Sequence, residues 1–235
     1  MNYMNIGFNS KAQPNKRFFI FLKGSNPKRL ASQSALPEKV LSDEKDLSFV
    51  NSQGNFCCIY WVSRKDIPGS LRKRILRSRS KRVKTGEDIG LYFGSGTTKF
   101  FEETIQALLM AQYEVGLFKG DRSKKEAGEL IIQSEVSRDQ RIVARKCKEV
   151  WEAQSFAMDL VNLPGNKLRP EDLANFAKTS GKTHGYKVTV LSKAQIEKKG
   201  LDALLAVNRG SEWPPAFIIA EYKGKSRKKN PPKVG

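Results

Sequence analysis

Cys57, Cys58, Cys147 and His184 are the side chains of this chain best suited to hold a soft metal or act as nucleophiles. Their spacing speaks against both roles. Cys57 and Cys58 are adjacent within Phe56-Cys-Cys-Ile-Tyr60-Trp-Val62, which reads as a buried strand, so they point to opposite faces. There is no Cys-x-x-Cys pair and no cysteine cluster with the single histidine. Reduced thiols in a cytoplasmic protein are therefore expected, with neither a disulfide framework nor a zinc site. His184 follows a predicted helix and precedes a predicted strand, where a helix-end or turn role is expected. Glu171 and Asp172 fall in the first turn of a predicted helix, where carboxylates complement the dipole. No residue is assigned as catalytic and none as a metal ligand.

Two further patterns bear on anion binding. Gly94-Ser-Gly96 lies between the predicted strand Ile89–Phe93 and a helix, and such a turn can present backbone amides to a phosphate. Lys99 stands where a dinucleotide fingerprint has its third glycine, so a plain turn is expected. The segment Arg64–Lys84 holds ten Lys or Arg against one acid, Asp66. Leu71, Ile75, Leu76 and Val83 anchor this segment as a helix in the expected arrangement, with Arg72, Lys73, Arg77, Arg79 and Lys81 facing outward. These five are candidate contacts for a nucleic-acid backbone. No base-reading motif accompanies them, so binding would be non-specific and salt-sensitive.

The formal net charge of +19 over 235 residues favours anionic partners at long range. Hydrophobic residues make up 39% of the chain, with 13 Phe, which indicates a folded protein rather than a disordered one. The apolar run Phe18–Leu22 is too short for a signal-peptide core, and nothing approaches the roughly 20 residues of a membrane span. A cytoplasmic location with no membrane partner is expected.

Strands must alternate with helices to place these residues. Arg17–Lys23, Phe56–Val62 and Ile89–Phe93 read as strands, and Leu71–Val83 and Phe101–Phe118 as helices with Phe101, Ile105, Leu108 and Leu109 on one face. That pattern predicts a layered α/β domain. Gly24–Gln33, Ser42–Gln53 and Asp121–Gly128 read as loops. A long helix is predicted from Arg138 to Val161, opened by the capping box Ser137-Arg-Asp-Gln140 and stopped before Pro164. Its apolar stripe is expected to be Val143, Cys147, Val150, Trp151, Ala157 and Val161. Pro170 opens the next helix, with Leu173, Phe176 and Ala177 as its buried stripe. Tyr186–Leu191 reads as a strand. Ser192-Lys-Ala-Gln195 opens a short helix closed by Gly200. Ala203–Val207 and Ala216–Tyr222 read as strands covered on both faces.

The run Asp159-Leu-Val-Asn162-Leu-Pro164-Gly-Asn-Lys-Leu-Arg169-Pro170-Glu-Asp-Leu173-Ala resembles the "DLVNxPxNxLxPEDLA" signature of leucyl (cytosol) aminopeptidases. The similarity continues through His184–Leu191, Gly200–Ser211 and Pro214–Gly224. A weaker one reaches back through Gln106–Gly120, with Ala111 where the family has glycine. The resemblance implies a macro-domain-like N-terminal α/β domain at 1–137, a linker helix at 138–162, and an incomplete catalytic α/β domain at 163–235. It implies a homo-hexameric metallo-exopeptidase that releases N-terminal amino acids from peptides with two divalent ions, manganese or zinc. The family's ligand-bearing motifs, "VGKGxTFDxGG" and "NTDAEGRL", occur nowhere in this sequence. The 235 residues alone are thus expected to bind no cofactor and to be inactive. The resemblance also bears on the basic segment, since some bacterial members of the family bind DNA.

Overall fold

A computed structural model describes residues 4–8, 18–22, 28, 31, 38–39, 47–50, 56–60, 73–74, 77–78, 87–92, 97–113 and 128–224. The chain divides into two units, Met1–Asp159 and Leu160–Gly235. The division falls in the last turn of the long helix.

The first unit is built on a six-stranded sheet of β1 (Asn5–Phe8), β2 (Phe18–Leu22), β3 (Leu47–Val50), β4 (Phe56–Tyr60), β5 (Ile89–Tyr92) and β6 (Glu129–Ile132), in the order β1-β6-β5-β2-β4-β3. All neighbours are parallel except the edge strand β3, which runs antiparallel to β4 with Leu47 opposite Ile59. Parallel pairs need crossover connections, and helix α1 (Thr98–Ala111) supplies the one from β5 to β6. The expected strands at 17–23, 56–62 and 89–93 are present in their described parts.

The stretch 42–53, expected as a loop, contains β3 instead. An edge strand is held by backbone pairing, so its side chains need not be apolar; Ser48 is exposed and Val50 is 64% exposed. Lys28 and Ala31, inside the expected loop 24–33, are helical. Strands β1 and β6 carry only four residues each, too few for an alternation to stand out. Of the expected loop 121–128 only Gly128 is described. A Cβ there would run into the carbonyl of Glu87, so the close approach of the chains beside β5 and β6 requires glycine.

Helix α1 begins three residues before the expected Phe101, because the Thr97 hydroxyl accepts the Phe100 N–H at 3.2 Å. It ends at Ala111, and 114–118 of the expected Phe101–Phe118 lie outside the described residues. Phe101, Ile105, Leu108 and Leu109 are fully buried, as their spacing predicts. They pack with Ile89, Leu91, Leu130 and Ile132 of the sheet. Each such side chain removed from water contributes about 1.5–3 kcal/mol.

Helix α2 spans Arg138–Val161, the range predicted, and its capping box is formed. Ser137 N–H donates to Gln140 Oε1 at 2.8 Å, and Gln140 N–H donates to Ser137 Oγ at 3.2 Å. The buried stripe differs from the expected one. Ala144, Cys147, Trp151 and Ser155 face the core, with Val143 and Met158 partly buried beside them. Val150 and Ala157 are exposed, and Val161 is 83% exposed. The 3.6-residue period sets a stripe but small residues can occupy it, and Ala144 and Ser155 do so here.

The second unit holds α3 (Pro170–His184), β7 (Lys187–Leu191), α4 (Lys193–Lys198), α5 (Asp202–Asn208) and β8 (Phe217–Glu221). Strands β7 and β8 pair antiparallel, with Leu191 opposite Phe217 and Lys187 opposite Glu221. The Ser192–Gln195 box opens α4, and Gly200 follows it at φ +65. Gly181 lets α3 close onto β7, since a Cβ there would sit 2.7 Å from Val188 Cγ2 and 2.8 Å from the Tyr186 carbonyl oxygen.

Three expectations fail in this unit. Ala203–Val207 is helix, not strand; alanine and leucine are strong helix formers, and Asp202 in the first turn adds to them. A run of five apolar residues does not by itself distinguish the two states. Strand β8 is not covered on both faces, with Phe217 and Ile219 partly exposed. Leu173 and Phe176 of α3 are 39% and 40% exposed, while Ala174 and Gly181 are its buried positions. Small side chains, not large ones, make the closest contact of this helix with its strand.

Candidate functional site

Asp159 opens the signature run, and α2 holds it one turn beyond Ser155. The Tyr113 hydroxyl, just past the end of α1, donates to Asp159 Oδ1 at 3.1 Å. Burial pushes the Asp159 carboxyl above the usual carboxylate range, and the Tyr113 hydrogen bond opposes that rise. The Tyr113 ring meets Trp151 edge-on at 6.3 Å. Trp151, Ser155 and Asp159 recur every four residues, so Tyr113 reaches two members of one α2 stripe. These are anchoring contacts within the first unit.

Within the second unit, the rest of the run forms the turn between α2 and α3. Lys167 and Leu168 N–H groups donate to the Pro164 carbonyl at 2.8 and 3.1 Å. Arg169 N–H donates to Asp172 Oδ2 at 2.9 Å, which ties the helix start back on itself. The Arg169 guanidinium lies 3.7 Å above the Trp213 ring centroid. Trp213 is itself placed by Ser211, whose Oγ accepts its N–H at 3.1 Å, and by Asn208 Nδ2, which donates to its carbonyl at 3.0 Å. Asn162 and Glu171 are exposed. His184 is exposed in the last turn of α3, before Gly185 at φ +73. Sequence reasoning missed both Tyr113–Asp159 and Arg169–Trp213, which are separated by 46 and 44 residues and leave no periodic signal.

Cys147 is buried, and its thiol is pushed up to about 11 by burial first and the nearby Glu102 second. Such a thiol is a poor nucleophile near neutral pH. Cys57 and Cys58 lie on β4, and their side chains are outside the described residues. Among the described residues no three His, Cys, Asp or Glu come together to hold a metal ion. The described side chains therefore do not fit a two-metal centre, and no chemical step is derived through one.

Of the five candidate nucleic-acid contacts, Arg72, Arg79 and Lys81 lie outside the described residues. Lys73 and Arg77 are helical and half-buried; Arg74 and Ser78 are the exposed positions beside them. Lys73 Nζ donates to Gln106 Oε1 at 3.4 Å, and Gln106 Nε2 donates to Glu102 Oε1 at 3.2 Å. Arg77 Nε is buried and meets no acceptor among the described residues. Gly94 and Gly96 also fall outside the description, while Thr97 beside them serves as the α1 cap.

A layered α/β chain in two units, with a reciprocally capped long helix and a Pro-initiated helix after it, is the architecture these elements define. Residues 155–235 match the model of the cytosol aminopeptidase family, catalytic domain. Over that segment the chain is similar to the cytosol aminopeptidase family. The chain is 39% identical over 143 residues to a "Probable cytosol aminopeptidase" of Chlorobaculum tepidum, covering 54% of this chain and 28% of that protein. It is 52% identical over 81 residues to the protein of the same name from Chlorobaculum parvum, covering 34% of this chain and 16% of that one. The chain thus spans well under half the length of these curated relatives.

In fold it is similar to a tomato leucine aminopeptidase mutant, with a TM-score of 0.75 at 17% identity over 97% of this chain and 52% of that one. It is also similar to "Bottromycin maturation enzyme BotP in complex with Mn", with a TM-score of 0.68 at 16% identity over 91% and 46% of the two chains. Among the described residues no helix is long and apolar enough to cross a membrane.

Proposed function

We propose that residues 163–235 form part of the catalytic α/β domain of a leucyl aminopeptidase-like metallo-exopeptidase, which in complete form releases N-terminal amino acids from peptides. Residues 1–137 are read as a macro-domain-like unit, and 138–162 as the linker helix. The mixed sheet with an antiparallel edge supports the former, and the uninterrupted α2 supports the latter. The observation that carries the proposal is the 52% identity over 81 residues to a cytosol aminopeptidase. The complete protein is read as a cytoplasmic homo-hexamer with two divalent ions, manganese or zinc. The 235-residue chain by itself is read as inactive, because the family's ligand-bearing motifs do not occur in its sequence.

A graft tests the catalytic-domain reading. Residues 155–224 of this chain replace their counterparts in the Chlorobaculum parvum protein, and hydrolysis of a leucine anilide is measured with manganese. Retained activity within about tenfold is expected. A folded graft with no turnover, alongside an active parent, overturns the assignment.

A second reading draws on the +19 charge and on the ten Lys or Arg of Arg64–Lys84. In it the first unit contacts a nucleic-acid backbone through Arg72, Lys73, Arg77, Arg79 and Lys81. A salt series, described below, decides it.

A further inference from the structure

We draw no further inference here: the strongest candidate, the partly exposed apolar side chains Phe217 and Ile219 of strand β8 in the second unit, carries nothing because nothing in the structure shows what covers them.

Discussion

Tyr113 and Asp159 join the residue just past α1 to the last turns of α2 through a 3.1 Å hydrogen bond. It is a local tie beside the contact of Cys147 Sγ with the Glu102 carbonyl at 3.9 Å, which links the same two helices. Because burial raises the Asp159 carboxyl, the folded state holds a proton more tightly than the unfolded chain. The associated stability is present at low pH and lost as pH rises from the ordinary carboxylate range through the raised folded value. Asp159→Asn keeps an acceptor for Tyr113 and removes the charge. Urea denaturation across that pH window should show a downward slope in the parent that the variant lacks. Tyr113→Phe should cost about 1 kcal/mol at neutral pH, the usual worth of one such bond. Equal pH profiles for parent and Asp159→Asn would contradict this account.

Gly181→Ala places a methyl group against the Tyr186 carbonyl and Val188, where α3 meets β7. Backbone cannot yield as a long side chain does, so a loss of roughly 1–3 kcal/mol is expected. Thermal or urea unfolding of the second-unit signal from Trp213 checks it. Gly165→Ala, where a Cβ meets nothing within 4 Å, is the control and should be near neutral. Equal stability of the two variants would show that the helix and strand are not held this close.

Cys147 should resist alkylation at pH 8 in the folded protein and react once denatured, since its thiol is buried and held near 11. Peptide mapping by mass spectrometry separates it from Cys57 and Cys58. With the folded value raised from 9.0 to about 11, stability from this group is complete below pH 9 and declines as pH climbs toward 11. Rapid labelling of Cys147 under native conditions would place it elsewhere than the core.

Several elements of both units were legible because their signals are local. The capping boxes at Ser137 and Ser192 and the apolar face of α1 depend only on neighbours in sequence, and all are formed. What was illegible depends on partners far along the chain. Strand β3 is defined by its pairing with β4, and its four residues are too few to show an alternation. Ala203–Val207 has one composition compatible with two backbones, and helix propensity prevailed over the strand reading. The half-buried Lys73 donates to Gln106, 33 residues away, a contact that no local spacing signals. At the candidate site, the motif Asp159–Ala174 was recognisable from spacing, but Tyr113 and Trp213 as the anchors of Asp159 and Arg169 were not.

Arg169→Ala removes the guanidinium from the Trp213 ring and should cost about 0.5–1 kcal/mol while changing Trp213 fluorescence. Asp172→Ala removes the acceptor for the Arg169 N–H and should cost about 0.5–2 kcal/mol. Circular dichroism with urea titration reads both losses. An Arg169→Ala protein with unaltered fluorescence would indicate that the stacking is not maintained in solution.

Nucleic-acid binding by the basic segment must be salt-dependent if phosphate contacts carry it, with affinity falling in proportion to the number of contacts. A mobility-shift series from 50 to 200 mM salt (roughly the range over which such contacts lose strength) should show progressive release. Replacing Arg72, Arg79 and Lys81 by Gln should flatten the slope more than replacing Lys73, which is engaged with Gln106. Absence of binding at the lowest salt rejects that reading.

The most direct test of the central claim is an assay of the purified 235-residue chain with manganese and a leucine anilide, run beside a cytosol aminopeptidase relative. No turnover above the metal-only blank is predicted, because the ligand-bearing motifs of the resembled family occur nowhere in this sequence. Manganese-dependent turnover that a chelator abolishes and metal restores would contradict it.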